Sequence, residues 1–220
     1  FYGVPNLTNS EGLHTNAVYG FLNILFKVLD EEKADYLAVA FDLKAPTFRH
    51  KMFDAYKGTR KPMPEELHEQ VPLMKEVLTA MGVPILTKEG YEADDILGTI
   101  AKREQKDGYE VTILSGDRDL LQLSDTHIRI CLPKTSRGTT EVHNYYPEDV
   151  IREYQVTPEQ FIEVKALMGD ASDNIPGVAG VGEKTAMDLI QKYSSIEALY
   201  EKLPDIEAKP AAIRKLQAGE

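Results

Sequence analysis

Eight carboxylates fall in four groups along the 220-residue sequence: Asp42; Glu92, Asp94 and Asp95; Asp117 and Asp119; Asp170 and Asp173. Each group has an ordinary explanation. Acids in the first turn of a helix are favoured by its dipole, which covers the three acids of GYEADDILGTIAKRE. In YEVTILSGDRDLLQL, Asp119 can cap a helix and Asp117 can sit in a turn. Converging on one edge of a sheet, however, eight such groups would repel one another severely unless cations neutralised them. Oxygen-only donors select hard cations, Mg2+ or Mn2+, over zinc. The histidines at 14, 50, 68, 127 and 143 are scattered and Cys131 is the one thiol, so no zinc spacing exists. MGDASDNIPGVAGVG lacks the glycine at loop position six and the glutamate at position twelve of a calcium loop. Neither a GxSxG elbow nor a Walker GxxxxGK(S/T) loop is present. The chemistry that remains is phosphodiester hydrolysis with two metal ions.

A net charge of −11 argues, as a total, against a nucleic-acid partner. Its distribution argues otherwise. Lys44, Arg49, Lys51, Lys57, Arg60 and Lys61 face one acid, Asp54, and Phe48, Phe53 and Tyr56 are interleaved with them. A second handle is the glycine-rich run Gly177, Gly180 and Gly182 before Glu183–Lys192. Backbone N–H groups at such a helix start can hold a phosphate, and Lys184 adds a positive charge. The bland alternatives are a solvated basic loop and a plain helix–helix turn.

These groups need elements to position them. Apolar spacing predicts a helix over residues 13–29. Tyr36–Phe41 reads as a strand buried on both faces, ending in Asp42. Pro64-Glu65-Glu66 starts a helix to about Ala80 that ends at Gly82, and Val83–Thr87 reads as a short strand. Ile96, Leu97, Ile100 and Ala101 mark a helix with Glu92, Asp94 and Asp95 in its first turn. Val111–Leu114 is a strand whose C-terminal end delivers Asp117 and Asp119, where open α/β sheets place their sites. Ile128–Leu132, in which Cys131 is expected to be buried, and Thr140–Tyr145 read as strands around a turn at Ser136-Arg137-Gly138. From Pro147 onward only helices are expected, with capping boxes at Thr157/Gln160 and Ser194/Glu197. The fold class is therefore α/β with a mostly parallel sheet, followed by a helical region, the junction lying near residues 146–156. No run is apolar enough to span a membrane, and Phe1–Pro5 is not a signal peptide. A reducing cytoplasm fits the single thiol.

Together, YEADDILGTIA, SGDRDLLQL, GDASDNIPGVAGVGEKTA and AYKGTRKPMPEEL resemble the 5′-nuclease domains of bacterial DNA polymerases I, within the flap endonuclease family. The resemblance covers nearly the whole chain. It implies a PIN-like core over 1–152 with a helical arch about 43–66, and a helical region over 153–220 with a helix-hairpin-helix about 174–192. It implies removal of 5′ flaps and RNA primers in replication and repair, on branched DNA and RNA–DNA primer junctions, by a monomer in the bacterial cytoplasm and nucleoid. By the same resemblance Asp42, Glu92, Asp94 and Asp95 serve one metal region, and Asp117, Asp119, Asp170 and Asp173 the other. Lys57 and Arg60 match arch residues that contact the scissile phosphate, sharing a face if the segment is helical. Arg49 joins them in holding DNA. Gly177, Gly180, Gly182, Lys184 and Thr185 match the duplex-holding turn, with K+ bound there in relatives. Family members also carry an upstream strand ending in an Asp; this sequence starts after it, so that first strand and ligand are expected to be absent.

Two other classes compete with a metal-dependent 5′-nuclease. A non-catalytic relative would bind branched DNA as a module, without Mg2+-dependent cleavage. A carboxylate-metal phosphatase would act on small molecules and ignore competing duplex DNA.

Overall fold

A computed structural model describes residues 3–136, 139–203, 213, 216 and 217. In chain order the elements are α1 (Asn16–Glu32), β1 (Val39–Ala40), α2 (Phe48–Met52), α3 (Glu65–His68), α4 (Gln70–Ala80), β2 (Ile85–Leu86), α5 (Ala93–Lys106) and β3 (Val111–Leu114). A 3-10 helix follows (Arg118–Leu123), then β4 (Ile128–Ser136), β5 (Thr139–Tyr145), α6 (Pro147–Tyr154), α7 (Pro158–Met168), β6 (Gly169–Asp170), β7 (Ile175–Pro176), α8 (Glu183–Tyr193) and α9 (Ile196–Glu201). The chain divides into two compact units. The first comprises Phe1–Thr47, Lys61–Leu97 and Pro133–His143, and the second Phe48–Arg60, Gly98–Leu132 and Asn144–Glu220.

In the first unit α1 packs on α4, and α4 on β2. Ala17, Leu25 and Val28 meet a small core with Met74 and Leu78. The start of α1 is capped from a distance. Gln70 is fully buried, and its Oε1 accepts from the N–H groups of Ala17 (2.7 Å) and Val18 (3.2 Å). Its Nε2 donates to Asn16 Oδ1 and to the Glu66 carbonyl. Helix-start donors that have no partner within α1 are thereby satisfied, as burial requires. The helix expected from Pro64 to Ala80 is broken into α3 and α4. Pro72 lies in the first turn of α4, where its missing N–H is harmless; continued from α3, it would remove a hydrogen bond and press on the carbonyl four residues back.

The sheet of the first unit differs from expectation. β1 and β2 pair in parallel, Val39 with Ile85 and Ala40 with Leu86. Tyr36–Phe41 is not a strand buried on both faces: only Val39–Ala40 is strand, neither is fully buried, and Tyr36 is 77% exposed. An apolar run becomes a buried central strand only when layers cover both faces, and the described residues give β1 one paired neighbour.

The second unit holds the larger core. β3 and β4 are parallel, from Val111 with Ile128 to Leu114 with Cys131, so every residue of β3 has a partner. Ile113, Ile128, Ile130 and Cys131 are buried, and the Cys131 thiol donates to Asn144 Oδ1. α7 packs on both α8 and the 3-10 helix through Phe161, Val164, Leu167, Leu120, Leu121, Leu189 and Ile190. Thr157 and Gln160 form the expected reciprocal box at the start of α7 (3.0 and 3.2 Å). The second box is displaced. Ser195, not Ser194, caps α9 by accepting from Ala198 N–H, while Ser194 closes α8 at φ +71°. Nor is the chain after Pro147 purely helical. β6 and β7 form a two-residue antiparallel ladder between α7 and α8. Gly169 and Gly177 make it possible: a Cβ on either would lie 2.3 Å from the other's backbone nitrogen. The turn expected at Ser136-Arg137-Gly138 falls partly on residues 137 and 138, outside the described residues.

The segment 43–66 is mostly turns. Its helical content is α2 and the first residues of α3, so Lys57 and Arg60 do not share a helical face. Lys57 has φ +55°, a left-handed conformation no helix accommodates.

Candidate functional site

The first unit gathers Asp42, Glu92, Asp94 and Asp95 at the start of α5. Asp42 lies just beyond β1, and its Oδ1 accepts from Ala93 N–H at 2.7 Å. Asp95 Oδ2 accepts from Glu92 N–H at 2.9 Å. Exposed helix-start donors and the positive end of the helix dipole attract these carboxylates.

The second unit gathers Asp117, Asp119, Asp170 and Asp173 around a cavity of about 380 Å³, which Arg118, Lys165, Ser172 and Glu183 also line. β3 stops at Leu114, and Asp117 caps the 3-10 helix by accepting from Asp119 N–H at 2.8 Å. The capping role expected for Asp119 therefore belongs to Asp117, which leaves the Asp119 side chain free to face α7. There Lys165 Nζ lies 2.9 Å from Asp119 Oδ1 and 2.7 Å from Asp170 Oδ2. The other Asp170 oxygen accepts from Ser172 N–H (2.7 Å), Ser172 Oγ (2.7 Å) and Asp173 N–H (3.1 Å).

Asp173 ties the basic segment to this hairpin. Its carboxylate pairs with the Arg60 guanidinium and accepts from Tyr56 Oη at 3.0 Å. Arg60 Nε donates to the Ser172 carbonyl, Lys57 N–H to the Asp173 carbonyl, and Asn174 Nδ2 to the Ala55 carbonyl. Arg118 pairs with Glu183 at 2.6 Å and lies over the Tyr154 ring.

The charges respond to these surroundings. Burial pushes the Asp119 carboxyl up, and Asp117 and Asp170 add to the rise, so together they outweigh the pull of Lys165. Burial acts the same way on Asp170, but hydrogen bonds from Lys165 and Ser172 overcome it and hold Asp170 well below the usual carboxylate range. Burial alone would lower Lys165; its bonds to Asp170 and Asp119 raise it instead, which keeps it charged.

The remaining expected DNA-contacting residues lie around these features. Arg49 stacks on the Phe48 ring and Lys57 Nζ on the Tyr56 ring. Gly182 caps α8 at φ −95°, a value open to any residue, and a Cβ there would meet nothing within 4 Å. Gly180, at φ +77°, adopts a left-handed conformation that glycine takes without strain. Lys184 is exposed and Thr185 half-buried in the first turn of α8. Of the span 174–192, only α8 is helical; it packs on α7, which ends at Met168, and on α9. Lys165, Ser172 and Gly169 belong to the site and carried no role in the sequence, whereas Tyr56 stood there only as an aromatic of the basic segment. A glycine ending a helix is a readable signal for Gly169. A lysine inside an amphipathic helix carries none.

Among the described residues, no three His, Cys, Asp or Glu side chains are arranged around one point as a ready cage for a metal ion. The donor chemistry nevertheless fits a hard cation. Oxygens of Asp119 and Asp170 converge on one position, and a cationic nitrogen stands in it.

Comparison with known proteins is consistent along the whole chain. A family model described as the 5′-3′ exonuclease N-terminal resolvase-like domain matches residues 1–155, and the 5′-3′ exonuclease C-terminal SAM fold matches residues 156–220. DNA polymerase I of Bacillus subtilis is 49% identical over 209 residues, 95% of this chain and 24% of the relative. The chain thus spans about a quarter of the length of the curated relatives it matches. Bacteriophage T5 5′-exonuclease, solved with divalent zinc ions, superposes with a TM-score of 0.75 at 26% identity, covering 91% of this chain and 75% of that one. A T5 flap endonuclease variant, solved as a pseudo-enzyme–product complex with DNA and metal ions, gives 0.74 at 26% identity over the same shares. The α/β part is accordingly a PIN-type resolvase-like domain and the helical part a SAM-like fold. The chain belongs to the 5′-3′ exonuclease family.

Proposed function

We propose that the chain is a Mg2+-dependent, structure-specific 5′-nuclease, with Mn2+ as a substitute, that hydrolyses phosphodiester bonds in 5′ flaps and RNA primers. The observation that carries this reading is the convergence of Asp119 and Asp170 on one cation position beside Asp117 and Asp173. Asp117, Asp119, Asp170 and Asp173 hold one metal region and Asp42, Glu92, Asp94 and Asp95 another. Bound divalent cations supply an acidified water and charge neutralisation at the scissile phosphate. The chain's own residues do the rest. Arg60, with Lys57 and Arg49, draws the phosphate backbone toward the hairpin, where a fixed cation counts most as charge builds. Gly177, Gly180, Gly182, Lys184 and Thr185 hold the duplex by its backbone, without reading sequence, around a K+ ion.

The T5 relative solved with DNA and metal ions supports the partner class. The DNA polymerase I relatives support a place in a longer bacterial polymerase; on this reading it acts as a monomer in replication and repair at the nucleoid. The regions 1–152 and 153–220 divide the work into nuclease core and duplex-holding helices, with 43–66 as the arch. A second reading, a module that binds branched DNA without cutting it, draws support from Lys165 and Arg60, which already pair with three of the acids.

A 5′-labelled flap separates the readings. Cleavage at the junction with Mg2+, none with EDTA, and no hydrolysis of p-nitrophenyl phosphate is the expected result. Tight flap binding with no product at any Mg2+ or Mn2+ concentration supports the module instead and overturns the nuclease.

A further inference from the structure

We infer that Lys165 is a built-in counter-cation of the Asp119–Asp170 pair, which an arriving divalent cation must displace, so that removing its charge strengthens metal binding. The inference rests on the proposed role of these two aspartates as metal ligands.

Three observations lead to it. Lys165 Nζ touches one oxygen of each carboxylate, at 2.9 and 2.7 Å, and so bridges the 3-10 helix and the β6–β7 hairpin. Its side chain is only 25% exposed, on a helix whose neighbouring positions Phe161, Val164 and Leu167 are core. A lysine so placed sheds most of its hydration and needs both acids in return. Finally, the cavity of about 380 Å³ beside it has room for the side chain to swing away. Arg60 does something similar for Asp173, but half in solvent, at 48% exposure, where water screens the pair.

An ammonium and a divalent cation cannot share these oxygens. Hard cations bind carboxylate oxygen at about 2.0–2.6 Å, and a retained ammonium would repel them at contact distance. Binding therefore includes breaking two charge-assisted hydrogen bonds and moving Lys165 out. In the metal-free protein the same lysine suppresses the repulsion between Asp119 and Asp170 and keeps the 3-10 helix and the β6–β7 hairpin together. Lys165 is thus a positioning residue, which holds the acids in place and sets the metal concentration at which they load.

Isothermal titration calorimetry with Mg2+, repeated with Mn2+, tests this on the parent chain and on Lys165→Met, Lys165→Gln and Lys165→Arg. Lys165→Gln, which keeps a donor without the charge, covers the case in which the methionine variant does not fold. The uncharged variants should bind metal about tenfold tighter. They should melt lower than the parent in EDTA and gain more on adding Mg2+. Lys165→Arg should stay close to the parent. Equal or weaker metal binding by folded, uncharged variants overturns the inference, because a purely supporting lysine predicts a loss. Asp119→Asn separates the layers. If it loses metal while Lys165→Met is unchanged, only the role of Lys165 fails. If it binds metal like the parent, the ligand assignment fails and the inference with it.

Discussion

The two acidic sets are neutralised in different ways. Asp42 and Asp95 accept from backbone N–H groups at the start of α5. Asp119, Asp170 and Asp173 are met by side-chain cations, Lys165 and Arg60, with backbone N–H groups added only on the second oxygen of Asp170. Backbone donors cannot leave, so the first arrangement is part of the helix itself. Side-chain cations can move, so the second can be exchanged for another cation. The first unit rests its acids on a small core and a two-strand sheet, whereas the second rests its own on a fully paired β3 and packed helices. What neutralises a carboxylate therefore decides how a cation is taken up: beside a backbone donor that stays, or in exchange for a side-chain cation that leaves.

The largest effect should come from the backbone that holds the second set. Gly177→Val places a side chain where the Gly169 nitrogen lies 2.3 Å away, so the β6–β7 ladder must open. A loss of about 3 kcal/mol or more is expected in denaturant unfolding. Gly182→Val, in open space at a permissive φ, should cost less than about 1 kcal/mol. Equal losses at the two glycines would mean that the hairpin does not depend on this close approach. Gly182→Val should still weaken binding to flaps with long duplex arms, and a substrate shortened past the turn should not register the change.

A smaller effect tests the side-chain cations. Asp170 is held below its ordinary value, so the stability it contributes is full above its unfolded pKa, roughly 3.8, and fades as pH falls through the folded value. Asp170→Asn, without metal, should cost about 1–2 kcal/mol near neutrality and progressively less in acid. Asp119 opposes part of this trend, because its raised pKa means a contribution that is larger at low pH and lost as pH rises. A deficit for Asp170→Asn that stays constant down to pH 2 would show that the Lys165 pair contributes nothing.

The smallest effect concerns the first set. Asp42→Ala removes one cap bond at the start of α5 and should lower stability by about 1 kcal/mol. Melting temperatures in EDTA at low and high salt check it. A loss near zero at both salt concentrations would show that this cap bond does not hold the start of α5.

Much of this was legible in the sequence for a physical reason. β3 is visible because Val111–Leu114 is β-branched and bounded by Ser115-Gly116, and α7 because Thr157-Pro158-Glu159-Gln160 carries its own cap. Such signals are local. The four acidic groups were legible as sets, since acids near element ends are spaced by the chain itself. Lys165 was not, because its role comes from two carboxylates five and forty-six residues away, and nothing in PEQFIEVKALM marks it. Tyr36–Phe41 misled in the opposite direction: apolar composition sets what a segment can pack against, not what is there to cover it. The basic segment 44–61 had no periodicity, and its structure is set by long-range bonds to Asp173, Ser172 and Asn174.

The most direct test of the central claim is single-turnover cleavage of a 5′-labelled flap across a Mg2+ titration, for the parent chain and for Asp119→Asn. Asp119 is the acid whose side chain is freed from capping and turned toward the cation position. Removing one ligand charge should lower the cleavage rate by about a thousandfold at any Mg2+ concentration, several kcal/mol of transition-state stabilisation. Flap binding in EDTA should be unchanged or tighter, since a phosphate-repelling charge is gone. Parent-like cleavage by Asp119→Asn at saturating Mg2+ would contradict the account, because the acids of the second unit would then be structural.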